Sequence, residues 1–109
     1  MPFKLFWKIV PDKGNDYPAQ IAVSISGRHF KRAVDRNLLK RRIREAYRIN
    51  KHVLYDYLSD KNLHLVFVIL YLPETIYSFR QIEDGIKKIL GMFIDQLMHQ
   101  DPVKLNGQK

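Results

Sequence analysis

Residues 65–72 (LVFVILYL) form an unbroken apolar run, and it constrains this chain more than any other stretch. The run is rich in β-branched and aromatic side chains and is stopped by Pro73. A run of that length is far short of the ~20 residues needed to span a bilayer. It reads as part of a central strand over residues 63–72, covered on both faces, so the rest of the chain must supply both the neighbouring strands and the layers that cover them.

The neighbours are visible upstream. Residues 3–10 alternate, with Phe3, Leu5, Trp7 and Ile9 on one face and Lys4, Phe6, Lys8 and Val10 on the other, the period-two pattern of a half-buried strand. PDKGNDYP, bracketed by Pro11 and Pro18, is a loop. In residues 20–26, Ile21, Val23 and Ile25 alternate with Ala22, Ser24 and Ser26, giving a second strand. From Ala33 the period becomes helical, and Leu39, Ile43, Ala46, Tyr47, Asn50, Leu54, Tyr57 and Leu58 follow at spacings of three and four. Ser78 and Gln81 fit a capping box. Beyond it Ile82, Ile86, Ile89, Leu90, Phe93, Ile94, Leu97 and Met98 trace an apolar stripe until Asp101-Pro102 ends it. Gly85 and Gly91 in this helix are expected to permit close packing on the sheet, and Glu83 with Asp84 to sit in its first turn, favoured by the helix dipole. The order strand, strand, helix, strand, helix predicts an α+β domain, a small mixed sheet packed with helices. One domain is expected over residues 1–101, with 102–109 as a flexible tail.

All of the net charge sits in one place. Residues 28–51 hold ten of the nineteen Lys and Arg and two of the eleven acids, or +8, and the other residues balance at nine against nine. Arg36, Lys40, Arg44 and Arg48 repeat at four-residue intervals, about 100° around the helix from its apolar row, and Arg41 and Lys51 widen the stripe. A solvated helix face usually interleaves both signs, but this one offers only Asp35 and Glu45. Arginine forks grip phosphate oxygens in pairs, so a polyanion, and specifically nucleic acid, is the expected partner.

AVDRNLLKRRIREAYR resembles the RNxxKRxxR signature of the bacterial ribonuclease P protein subunit family, with Arg36, Asn37, Lys40, Arg41 and Arg44 at the motif's spacing. IAVSIS and FKRAV upstream, and the apolar strand and last helix downstream, follow the family's order over about residues 3–98. The resemblance implies a ribonuclease P protein-like (ribosomal S5 domain 2-like) fold, whose motif helix is a left-handed βαβ crossover. It implies that the protein has no catalytic residue of its own, that the RNA subunit cuts the 5′ leader from precursor transfer RNA, and that magnesium is held through that RNA. On this resemblance Arg36, Asn37, Lys40, Arg41, Arg44 and Arg48 contact the catalytic RNA. Arg28, Lys31, Arg32 and Lys51, from the same basic segment, complete the expected RNA-binding set. Lys4, Phe6, Lys8, Ser24 and Ser26 are the expected leader-cleft residues on the open sheet face. The expected partners are the ribonuclease P RNA and precursor transfer RNA, in the cytoplasm, with neither a membrane nor a protein partner. Two departures stand out. The family places an amphipathic helix before its first strand, where this chain begins almost within the strand, so one wall of the cleft is expected to be missing. Gly27-Arg28 also stands where the family often has a lysine before the arginine.

Competing classes find less support. The chain has no cysteine, and His29, His52, His64 and His99 lack ligand spacing, so neither a thiolate nor a zinc site is expected. MPFKLFWKIVP lacks the features of a signal peptide. Trp7 is expected in the core and Phe6 on the exposed face. A general structured-RNA or ribosome-associated protein explains the charge but not the motif spacing. An intrinsic nuclease would need a convergent set of acids or histidines, and a membrane-surface helix would need large exposed apolar residues opposite the charges.

Overall fold

The computed structural model describes residues 2–11 and 18–99; the expected loop at 11–18 for the most part, and the tail at 102–109, lie outside the described residues. Six elements follow one another: β1 (Phe3–Ile9), β2 (Ala19–Ile25), α1 (Ala33–Asn50), α2 (His52–Lys61), β3 (Leu65–Tyr71) and α3 (Phe79–Met98). The strands form one mixed sheet in the order β1-β3-β2, with β3 antiparallel to β1 and parallel to β2. β3 is central, as its apolar run predicts. A parallel neighbour cannot be reached by a hairpin, so α1 and α2 make the crossover from β2 to β3.

The covering of β3 is a correction. Leu65, Phe67, Ile69 and Tyr71 are buried, whereas Val66 and Leu70 are half-buried and Val68 is 36% exposed. The core joins one parity of every strand to residues of all three helices, so the helices cover a single face. Val66, Val68 and Leu70 belong to the other face, which no described element covers. The strand parities of β1 and β2 follow the expected alternation.

Aromatic rings fill the centre. Phe67 lies 5.6 Å from Tyr47 and 6.0 Å from Phe93, whose ring meets Trp7 at 5.3 Å. At the far end of β3, Tyr71 contacts Phe3, Phe30 and Tyr77. Its hydroxyl donates to Thr75 O at 2.6 Å and accepts from Tyr77 N at 3.0 Å, folding the segment after Pro73 back onto the core. Burial, more than any neighbouring charge, pushes the Tyr47 and Tyr71 phenols above their ordinary value. The folded state therefore keeps protons that the unfolded chain releases above about pH 10. Stability should be fully present below that pH and fall as pH rises through it, visible in urea titrations between about pH 9 and 11.5; a flat profile would contradict the burial.

Three local expectations are revised. The long helix is interrupted at Lys51, where Asn50 Nδ2 donates to Ala46 O at 2.8 Å and intrudes on the backbone ladder. β3 starts at Leu65 because Asn62, with φ 54°, ends α2 in a left-handed turn; Asn62 N donates to Ser59 O and Leu63 N to Leu58 O. In α3 the capping box forms as expected, but Glu83 and Asp84 fall in the second turn, and Met98 is 61% exposed. Glu83 instead accepts from Asn50 Nδ2 at 3.1 Å, linking α3 to α1. Only Gly85 meets the close-packing expectation: an added Cβ would come within 2.7 Å of the buried Phe3 ring, whereas at Gly91 it would meet nothing within 4 Å.

Candidate nucleic-acid interface

Successive helix residues advance by about 100°, so a four-residue step drifts by about 40°. The row Arg36, Lys40, Arg44, Arg48 therefore begins above the buried side of α1 and ends on its open side. Arg36, at the start, is half-buried and its Nη1 donates to Phe30 O at 2.7 Å and Lys31 O at 2.9 Å. It ties the turn before α1 to the helix. That departs from the expected uniform offset of about 100° from the apolar row, and the cause is the drift.

The rest of the motif converges. Asn37, Lys40, Arg41, Arg44 and Arg48 line an open hollow of about 610 Å³ together with Arg42, Glu45 and Phe79, the first residue of α3. Arg48 grips Glu45 through Nε at 2.9 Å and Nη2 at 2.7 Å. The bidentate hydrogen bond holds the Glu45 carboxyl below its ordinary value and raises Arg48 above its own. Both groups are exposed, so the pair adds little to stability. Sequence reasoning missed two contributors. Arg42 turns away from the row and donates through Nη1 to Tyr77 O at 2.6 Å, and Phe79 reaches the hollow from a distant element. No pattern along α1 signals either one; the Ser78 cap alone marks where α3 begins.

Arg28, Lys31 and Arg32 are exposed in the turn that leads into α1. Ser26 organises that turn: its hydroxyl accepts from Arg28 N at 3.2 Å and its carbonyl from Phe30 N at 3.1 Å. Gly27 is exposed with open space around it. Lys51, at the junction of α1 and α2, places its Nζ 4.9 Å from the Tyr55 ring centre.

The open sheet face brings together the other expected set. The register aligns Lys4, Leu70 and Ser24 in one row, Phe6, Val68 and Ala22 in the next, and Lys8, Val66 and Gln20 in a third. Phe6 is 50% exposed, with Lys4 Nζ 5.3 Å from its ring centre. Phe6, Lys8, Gln20, Ala22, Val66 and Val68 border a shallow hollow of about 320 Å³. Cations and the exposed Phe6 ring thus flank an apolar floor. Ser26 lies one residue beyond β2, outside the paired rows, and its hydroxyl is engaged by the turn that follows. α1 packs on the other side of the sheet, so the two hollows do not overlap.

Trp7 is half-buried against Phe93, and His29 is exposed before α1. Among the described residues no group of three or more His, Asp or Glu side chains is placed to hold a metal ion. No described helix is long and apolar enough to cross a membrane.

Comparison with known proteins agrees with the motif geometry. The family model described as Ribonuclease P matches residues 3–93. Two curated relatives, each named ribonuclease P protein component and both from strains of Porphyromonas gingivalis, are 32% identical over 89 residues, covering 82% of this chain and 64% of their own length. A third of the same name, from Chlorobium phaeobacteroides, is 32% identical over 96 residues, covering 80% of this chain and 66% of its own. The chain thus spans just under two thirds of the length of the first relatives it matches. No solved structure matches it. With Asn37, Lys40, Arg41 and Arg44 of the signature gathered at one hollow and the family model spanning nearly every described element, this chain belongs to the Ribonuclease P protein family.

Proposed function

We propose that this chain is the RNA-binding protein subunit of ribonuclease P, acting in the cytoplasm and assisting a catalytic RNA in removing the 5′ leader from precursor transfer RNA. The observation that carries the reading is the convergence of Asn37, Lys40, Arg41, Arg44 and Arg48 on one hollow. A concave basic surface on a rigid helix neutralises closely spaced phosphates and releases their counterions, which favours a folded RNA. Arg28, Lys31, Arg32 and Lys51 extend this footprint, while Arg36 serves it by holding the preceding turn.

The leader strand takes the open sheet face. Lys4 and Lys8 attract its phosphates, Phe6 offers a ring for a base, and Ala22, Ser24 and Val68 are small enough to let the backbone approach. With the two hollows on different sides of the sheet, one protein holds the catalytic RNA and the leader together. The phosphodiester is cut by chemistry that the RNA supplies, with magnesium held there; this chain's residues bind and orient.

The test is cleavage of precursor transfer RNA by protein alone, by ribonuclease P RNA alone at low magnesium, and by the two together. Cleavage is expected only in the combined reaction, with tighter binding of precursor than of mature transfer RNA. Equal affinity for ribonuclease P RNA and an unrelated structured RNA at moderate salt, without stimulation of cleavage, would instead mark a general RNA-binding protein.

A further inference from the structure

Among the described residues lining the basic hollow, Phe79 is the one aromatic. We propose that this hollow, between α1 and the first turn of α3, receives an unstacked nucleotide of the bound RNA, with the base on the Phe79 ring and its flanking phosphates on Lys40, Arg41 and Arg44. The inference rests on the reading above and deepens it: the helix recognises a bulged or looped-out nucleotide as well as a charged backbone.

A row that reads phosphates alone requires neither a concavity nor an aromatic wall. The hollow has both, and at about 610 Å³ it lies within the ~300–1,000 Å³ range of small-ligand pockets. Phe79 is half-buried, packed against the core while also lining the hollow. A-form duplex RNA offers no free base face, so an aromatic ring set among arginines suits an unpaired nucleotide.

The backbone that carries the ring is held by three separate devices, and the ring itself packs against the core. Ser78 Oγ accepts from Gln81 N at 3.2 Å, and Gln81 Oε1 accepts from Ser78 N at 2.9 Å, locking the first turn of α3. Arg42 holds the Tyr77 carbonyl, two residues before Phe79. The Tyr71 hydroxyl holds the Tyr77 amide. A side chain placed this firmly before binding spends little ordering entropy when a base arrives. Arg42 thus acts through Tyr77 as a positioning residue.

The experiment uses the full chain and its Phe79→Leu and Phe79→Trp variants, with ribonuclease P RNA and an unrelated structured RNA as probes, across a salt series. Phe79→Leu should weaken binding by about five- to a hundred-fold while leaving the salt dependence unchanged, because a stacking face is lost and no charge is removed. Phe79→Trp should bind as the parent does, and its added emission, after subtraction of the Trp7 signal of the parent, should be quenched by RNA. Parent-like binding by Phe79→Leu, or unquenched Phe79→Trp emission in the complex, would overturn the proposal. Should Phe79→Leu also melt early, the Phe79→Trp emission decides: quenching supports the pocket, and its absence rejects it. A parent that binds both RNAs equally would defeat the ribonuclease P reading, while the Phe79 comparison on either RNA still judges the pocket.

Discussion

Replacing Lys40, Arg41 and Arg44 together by Glu should lower affinity for ribonuclease P RNA by at least about a thousand-fold, with little change in melting temperature. All three side chains line the basic hollow, and none of them holds a backbone carbonyl as Arg36 and Arg42 do. With on the order of five phosphate contacts, the parent's slope of log K against log salt should be about −3.5 to −4.5. Neutral replacements at the same three positions leave about two contacts and a slope of about −1.4 to −1.8. Charge reversal adds repulsion to that loss. Arg36 and Arg42 are left out deliberately, since removing either would mix folding with binding. Filter binding and calorimetric melting of the same preparations separate the two effects. Parent-like affinity with a normal melt would remove this surface from the interface.

Phe67→Ala should have the largest effect on stability. The residue is 2% exposed, sits in the central strand between Trp7 and Ile21 in register, and meets Tyr47 and Phe93 edge-on or tilted. Removing a ring from such a place costs about 3–5 kcal/mol, because neighbours anchored in helices and strands on every side cannot close the cavity. Against a total of ~5–15 kcal/mol this is a large share. At roughly 4–8 °C per kcal/mol for a domain of this size, the melting temperature should drop by at least about 12 °C. Saturating RNA should recover part of it, since only the folded form binds. A drop below about 5 °C would show that the centre is looser than its ring contacts indicate.

Where the sequence could be read, the reason was periodicity. The strand faces of β1 and β2, the centrality of β3 and the Ser78–Gln81 cap each follow from patterns a few residues long, and the structure bears them out. The motif residues were legible as a set because one helix carries them. What periodicity does not encode is which layer an element joins. An apolar run looks the same whether both faces are covered or one is left open, so the exposure of Val68 was invisible. The functions of Arg36 and Arg42 were hidden for a similar reason. A four-residue charge repeat suggests one straight row, but drift turns Arg36 toward the preceding turn, and a tertiary carbonyl captures its neighbour Arg42. Phe79 depends on α3 docking beside α1, a long-range event that the motif does not foreshadow.

The strand order has a consequence for synthesis. Among the described residues β1 and β2 do not pair with each other; each pairs with β3, which begins at Leu65. Until that point leaves the ribosome, both strands are without a partner and the cationic helix has no sheet to pack on. Emergence at ~5–20 residues per second gives this interval a length of several seconds. A nascent chain halted before Leu65 should remain fully protease-sensitive, and one extended through α3 should become resistant in a single step, because the last strand made in this sheet is the one that joins the other two.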